Sequence, residues 1–308
     1  MGKVLTLLYH RVNVLERDIH LLAVSPDHFY EQMVWLKRNF RIVRFEDDWD
    51  RLEGEAVCIT FDDGYMDNFS MALPILEELN IPATIFICTG SINTENELWW
   101  DELERYLLDE EKHYPENFYL QDDFFGCGWA TKTYRERREL YDTMHWLMYN
   151  KIDVKKRLEW MKQLKSWSGC SGQGRTENCV LQTDTGQKYL SPLLTIGAHT
   201  QNHPSLKSLP RQQQYSEMAV SQSMLSTLFE RKITVFSYPF GGKGDYDETT
   251  IEICRELGFY KAAANYPAIW SPGCDPFQIP RHIIRDWGKE EFVKKVGETL
   301  GDSFVWNI

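Results

Sequence analysis

Two acidic residues stand side by side in Thr60-Phe61-Asp62-Asp63-Gly64, directly after the apolar run Ala56 to Phe61. Such a run reads as a buried strand, and a glycine behind the carboxylates lets the chain turn sharply. At the carboxyl end of a barrel strand these groups would face the rim where α/β barrels place their chemistry. The alternative is that Asp62 and Asp63 open a turn and cap a helix from about Met66. His199-Thr200-Gln201-Asn202-His203-Pro204 follows a second run, Leu193 to Ala198. Two imidazoles at that spacing can converge on one ion, and zinc accepts histidine nitrogen together with carboxylate oxygen. Three protein ligands with one open position describe a catalytic metal site. The bland account, a buried His199 and a surface His203, loses weight once a strand-end Asp pair stands beside them. A third run, Ile233 to Ser237, leads into Tyr238-Pro239-Phe240-Gly241-Gly242. That tight segment either punctuates a loop or aims backbone N–H groups at an oxyanion.

These residues need a scaffold that brings strand ends together. Strand-like runs recur at Val4 to Leu8, Arg41 to Phe45, Ala56 to Phe61, Ala83 to Cys88, Leu193 to Ala198, Ile233 to Ser237, Lys261 to Ala264 and Phe277 to Ile284. Helical patterns separate several of them. One opens at Pro26 after the cap-like Ser25, with Phe29, Met33 and Leu36 on one face, and another opens at Pro210 and runs to about Glu230. Alternating strands and helices predict parallel strands with crossover helices, as a barrel or an open sheet, and we favour the barrel. From Leu98 to Leu190 the alternation stops. Helical patterns at Leu98 to Lys112, Tyr134 to Asn150 and Val154 to Trp167 give way to the polar stretch Ser168 to Lys188. The strand pattern then resumes, which predicts a mostly helical insertion at about residues 98–190 within a single domain, 1–308.

Composition narrows the function. The 308 residues are 43% hydrophobic and 26% charged, as in a globular chain with a sizeable core. Lys and Arg number 34 against 46 Asp and Glu, a formal charge of −12 that disfavours a nucleic-acid partner. No apolar stretch approaches the roughly 18 residues of an integral membrane segment. Only Lys3 precedes the run at Val4, and Tyr9-His10-Arg11 interrupts it, so a cytoplasmic location is expected. The seven cysteines form no CxxC pair and read as reduced residues, mostly in the core.

Taken together, the three blocks Thr60-Phe61-Asp62-Asp63-Gly64, His199-Thr200-x-x-His203-Pro204 and Ser237-Tyr238-Pro239-Phe240-Gly241 resemble the polysaccharide deacetylase family, the metal-dependent carbohydrate esterases of family four. They occur in the family's order. The resemblance implies a distorted (β/α) barrel of seven or eight strands. It also implies a divalent metal, zinc by ligand type with other transition metals open, on Asp63, His199 and His203. Asp62 would be the general base and the Phe240 N–H the oxyanion donor, with Tyr238, Pro239 and Gly241 shaping that loop. Many members carry an arginine near the third motif, where this chain has Ser237, and a Leu-x-His near the C-terminus, which this chain lacks. Candidate replacements are His10, at the end of the first run, as the acid for the leaving amine, and Arg281 of Ile279-Pro280-Arg281 as the cation beside Asp62. Trp287, in Arg285-Asp286-Trp287, resembles the fourth motif and would stack on a sugar ring or pack in the core.

The expected function is metal-dependent removal of an N-acetyl or N-formyl group from an amino sugar. A sugar-nucleotide or lipid-linked precursor of a surface polysaccharide, such as lipopolysaccharide or O-antigen, is the expected substrate. The competing expectation is a sugar-binding barrel that has lost turnover. A glycoside hydrolase is disfavoured, because its two carboxylates stand about 5 to 9.5 Å apart across the sugar, unlike sequence neighbours beside a metal.

Overall fold

The computed structural model describes residues 2–122, 126–170, 172–183 and 186–301. They form two compact units, one running to Asn93 and resuming at Val180, the other Thr94–Cys179. In chain order the first unit begins with strand β1 (Lys3–Tyr9), the short pair β2 (Arg11–Val12) and β3 (Ala23–Val24), helix α1 (Pro26–Asn39), β4 (Arg41–Val43), β5 (Glu55–Phe61), a π turn over Asn68–Ala72, α2 (Leu73–Glu78) and β6 (Ala83–Ile87). The second unit holds α3 (Trp99–Leu107), the antiparallel hairpin of β7 (Asn117–Gln121) and β8 (Gly126–Ala130), α4 (Tyr134–Asn150) and α5 (Val154–Ser168). The first unit then continues with β9 (Leu194–Ala198), α6 (Arg211–Leu228), β10 (Val235–Ser237), α7 (Glu248–Glu256), β11 (Lys261–Ala263), β12 (His282–Ile283) and α8 (Lys289–Leu300).

The sheet order is β11-β10-β9-β6-β5-β1-β12, seven parallel strands in a curled half-barrel. β4 joins it parallel to β5: it pairs with Ala56, Val57 and Cys58, while β6 pairs with Thr60 and Phe61 farther along. β1 and β5 run in register over their full length, Lys3 against Glu55 through Tyr9 against Phe61. Both are buried almost throughout, which is why they read as unbroken apolar runs. Parallel pairing places the carboxyl ends of β1, β5, β9 and β10 on one rim.

The expected strand Phe277 to Ile284 is shorter than its apolar pattern. Ile279 makes one parallel bridge to Ala263, Pro280 has no N–H to give, and Arg281 N donates to the Tyr266 carbonyl, so regular pairing resumes only at His282. The cap expected at Ser25 is also absent: its hydroxyl donates to Asp286 Oδ1 at 2.9 Å instead of to the helix. Phe29, Met33 and Leu36 of α1 are buried as their spacing predicts.

In the second unit, α4 starts with a capping box between Thr133 and Glu136. Glu97, which is buried, forms an ion pair with Arg105 at 3.2 Å and accepts from Arg175, and Arg175 also reaches Glu104. The unit ends at Cys179, so residues 180–183 and 186–190 lie with the sheet, short of the expected limit at 190. Ser171, Asp184 and Thr185, within the expected polar stretch, lie outside the described residues. No described helix is long and apolar enough to cross a membrane.

Candidate active site

β5 delivers Asp62 and Asp63 to the rim, and the two carboxylates meet different neighbours. The Asp62 N–H continues the ladder to the Tyr9 carbonyl at 3.0 Å, which fixes its backbone to β1. Arg281 grips its side chain with both ends of the guanidinium, Nη1 to Oδ1 at 2.7 Å and Nη2 to Oδ2 at 2.6 Å. Ser237 stands between them: its Oγ accepts from Arg281 Nη2 at 2.8 Å and donates to Asp62 Oδ2 at 3.1 Å. Arg281 is itself held by its Nε–H on the Ala264 carbonyl. Burial pushes the Asp62 carboxyl up, but Arg281 and the nearby His199 and His10 outweigh it and hold it at about 2. Asp62 is therefore an oriented carboxylate at neutral pH.

Asp63 turns the other way because its backbone is left-handed, at φ 73°, followed by Gly64 at φ 78°. A Cβ on Gly64 would come within 2.6 Å of Ile87 Cγ2, so only glycine fits both the turn and the space. The helical run starts at Met66, as expected, and passes into the π turn at Asn68.

β9 delivers the two histidines. His199 Nδ1 faces the Ser237 carbonyl at 2.8 Å, which makes it the protonated nitrogen and leaves the Nε2 lone pair toward the carboxylates. His199 Nε2 lies 3.6 Å and His203 Nε2 3.5 Å from Asp63 Oδ1. Burial lowers the His199 pKa, against the attraction of Asp62. Thr200 and His203 have left-handed φ of 64° and 52°, and the His203 N–H donates to Thr200 Oγ1. Of the eight non-glycine residues with such φ among the described residues, four (Asp63, Thr200, His203 and Phe240) belong to the three motifs. Backbone strain gathers where a site over-determines the chain.

One ligand atom from each of Asp63, His199 and His203 lies within 4.8 Å of the others, and all three residues are buried. Ligands at about 2.0 to 2.2 Å from a tetrahedral ion stand about 3.4 Å apart, close to the separations of both imidazoles from Asp63. The second nitrogen of His199 is occupied by a carbonyl, the usual partner behind a metal-binding histidine. The donor set thus fits a borderline-soft divalent cation such as zinc.

The third motif leads out of β10. Tyr238 points into the core, donating to the Phe277 carbonyl at 3.0 Å and stacking on Tyr246 at 4.1 Å. Pro239 and Gly241 form the turn through the Gly241 N–H on the Pro239 carbonyl, and Asn265 Nδ2 holds the Phe240 carbonyl at 3.0 Å. The Phe240 ring meets the His203 ring edge to face at 4.6 Å.

His10 follows β1, on the same rim. Its Nδ1 is buried with no hydrogen-bond partner among the described residues, and its carbonyl accepts from Asn68 Nδ2 at 2.8 Å. Burial lowers its pKa to about 3; Asp62 pulls the other way, and Arg281, Arg285 and His199 add to the lowering. Those charges place His10 in the field of the cluster. Trp287 is half-buried and borders a cavity of about 600 Å³ with Leu5, Leu7 and Val296; Arg281 also borders it, whereas Asp62, Asp63, His199 and His203 do not. The bridging hydroxyl of Ser237 and the Asn68 contact to His10 escape sequence reasoning, because each depends on a partner more than 40 residues away.

A sequence profile of the family described as Polysaccharide deacetylase matches residues 50–112 and 187–262, which include the Asp pair, the His pair and the third motif but neither His10 nor Arg281. YxkH of Bacillus subtilis (strain 168), named for polysaccharide deacetylation, is 23% identical over 273 residues, 86% of this chain. The chain spans 66% of that relative's length, just under two thirds. Among solved structures, the deacetylase PplD of Streptococcus pyogenes in complex with acetate is 19% identical at a TM-score of 0.54, covering 95% of this chain and 97% of its own. IcaB from Ammonifex degensii is 18% identical at a TM-score of 0.56, with 97% of each chain covered. At such identities the likeness is one of fold, and it extends along nearly the whole chain.

Proposed function

We propose that this chain is a member of the polysaccharide deacetylase family and, on that premise, a metal-dependent N-deacetylase acting on an amino sugar of a surface polysaccharide or its nucleotide-linked or lipid-linked precursor. The observation that carries the reading is the contrast within the Asp pair. One carboxylate is locked and ionised beside Arg281, and its neighbour faces two imidazoles at metal-ligand spacing.

Asp63, His199 and His203 would hold the ion, which when bound polarises the amide carbonyl and brings the pKa of a water toward about 7. Asp62 accepts the proton of the attacking water as the new C–O bond forms. Arg281 and Ser237 fix its carboxylate, so no side-chain freedom is lost at that moment. The Phe240 N–H would face the developing oxyanion, in a loop that Asn265 keeps closed. His10 would give a proton to the departing nitrogen as the C–N bond breaks. Burial keeps its ring neutral between turnovers, so the proton it gives would be the one Asp62 takes from the water, relayed through the imidazole, whose imidazolium is a strong acid toward an amine. The products are a free amino sugar and acetate, or formate from an N-formyl substrate.

The test is acetate and formate release from a panel of N-acylated saccharides, sugar nucleotides and lipid-linked sugars, with metal content measured on the same preparation. Release that depends on the metal supports the reading. A fully metallated protein that releases neither acid across the panel, yet binds its saccharides, overturns it in favour of a sugar-binding barrel without turnover.

A further inference from the structure

The two histidines do not sit on a helix, where four-residue spacing alone would align them. They flank a loop, Thr200-Gln201-Asn202, that departs from β9 and returns His203 to face His199 at a ring separation of 4.9 Å. Two left-handed residues in so short a segment give the loop no intrinsic preference for this shape. It is held from two sides. On one side, segment 88–90 takes its carbonyls: Thr89 N–H donates to Thr200 O at 3.1 Å, Gly90 N–H to Gln201 O at 2.7 Å, and Cys88 Sγ–H to Gln201 O at 3.2 Å. A Cβ on Gly90 would approach Gln201 O to 2.5 Å, so the contact needs glycine there.

On the other side stands Glu217 of α6, a carboxylate 8% exposed. Its Oε2 accepts the Gln201 N–H at 3.1 Å and the Asn202 N–H at 2.8 Å, and its Oε1 accepts Asn202 Nδ2 at 2.7 Å. The bonds all fall between the two histidines. Hydrogen bonds to an ionised acceptor are roughly twice as strong as neutral ones, and two successive backbone N–H groups on one oxygen fix the direction of the peptides.

We propose that Glu217 is a positioning residue of the metal centre, which holds the loop between His199 and His203 in the conformation that brings their Nε2 atoms onto one ion. The inference rests on the metal-dependent reading above. Glu217 touches no reacting atom and acts through the separation of two ligands. Its loss allows His203 to swing away from His199, which weakens metal binding and alters the ligand field.

Zinc and cobalt(II) titrations of the full chain, stripped of metal, test this with Glu217→Ala and Glu217→Gln. Removing a group that orients metal ligands costs about 10- to 100-fold in metal affinity, and that loss is expected for Glu217→Ala. Glu217→Gln keeps the shape without the charge and should fall between it and wild type. The cobalt(II) absorption bands should shift in both, a signature that general destabilisation does not produce. Gln222→Ala is the control: Gln222 also lies on α6, but its Nε2 binds the Ile233 and Leu257 carbonyls, and its loss should leave zinc affinity and the cobalt spectrum unchanged. If Glu217→Ala fails to fold, Glu217→Gln decides by the same two readouts. Wild-type zinc affinity and an unaltered cobalt spectrum in a folded Glu217 variant overturn the inference while leaving the metal reading intact. A wild-type chain whose zinc binding ignores His199→Ala and His203→Ala overturns both.

Discussion

Asp62 and Asp63 are chemically identical and adjacent, yet one reversed backbone angle sends them to different tasks. The φ of 73° at Asp63 separates their side chains, and Arg281 claims the first for itself. Asp62→Asn is close to isosteric and leaves Asp63, His199 and His203 untouched, so zinc content should stay at about one ion per chain while turnover falls by about 10² to 10⁴. Asp63→Asn should lose zinc. Equal activity in Asp62→Asn and wild type, with activity lost in Asp63→Asn, would show the roles exchanged. These residues were legible in the sequence because a strand end, a turn and the groups at the turn are neighbours in the chain. The cation beside Asp62 was reachable only by noticing where another strand-like run ends. Glu217 was not legible, since it acts on a loop 15 residues earlier through the packing of α6 beside β9.

At the scale of elements, the segment after the Asp pair binds the first strand end to the second. Arg11 Nε–H donates to Asp67 Oδ2 at 2.9 Å with its guanidinium over the Tyr65 ring, Asp67 Oδ1 accepts the Val12 N–H, and Asn68, the first residue of the π turn, donates to the His10 carbonyl. A π turn shifts the side chains that follow it relative to an α-helix, and it lies here where the chain must reach His10. Asn68→Ala should therefore lower kcat several-fold with zinc affinity unchanged, as steady-state kinetics and metal titration would read; a parallel fall in zinc affinity would place its effect on the metal loops instead. Near the opposite end of the strands, Lys261 of β11 donates to the Phe45 carbonyl over the Trp49 ring, 3.8 Å from its centroid. Burial lowers its pKa to about 8, despite Cys58 and Asp47 nearby. Between that value and the ordinary lysine value of about 10.4 the unfolded chain binds the extra proton, so this group's contribution to stability rises with pH. Urea denaturation at about pH 7.5 and pH 9.5 should show this gain in wild type and not in Lys261→Met; the same change in both proteins would assign it to other groups. Strand pattern alone could not foresee β12, where Pro280 interrupts the ladder, nor the hairpin of β7 and β8. There Phe118 and Leu120 are buried while Asn117, Tyr119 and Gln121 are exposed, an alternation of only five residues inside a region read as helical.

Across the whole molecule, the ligands come from the ends of β5 and β9, with β6 paired between them, so one ion would tie two strands across a third at their rim. The barrel class was legible because strands buried on both faces leave long apolar runs in the sequence. The separate unit Thr94–Cys179 was legible mainly as the interruption of that pattern. Its buried Glu97, Glu104 and Arg105 and the half-buried Arg175 are fixed by contacts between α3 and segment 173–175 that no local spacing announces. The site and this unit should respond differently to metal. A ligand that binds only the folded state stabilises it by RT ln(1 + [L]/Kd), about 4 kcal/mol at a thousand-fold excess over Kd. Zinc should therefore raise the melting transition of the first unit by roughly 8 to 16 °C at that excess, taking about 2 to 4 °C per kcal/mol for a domain of this size. His199→Ala/His203→Ala should abolish the rise, since the first unit then keeps a single ligand of the three. The second unit contributes no ligand, so a calorimetric transition assigned to it, for example by its sensitivity to Arg175→Met, should stay where it is as zinc is added. An equal zinc-induced rise in wild type and in the double variant would place the stabilising ion elsewhere on the chain, and a shift of the second transition with the first would mean that the two units melt together.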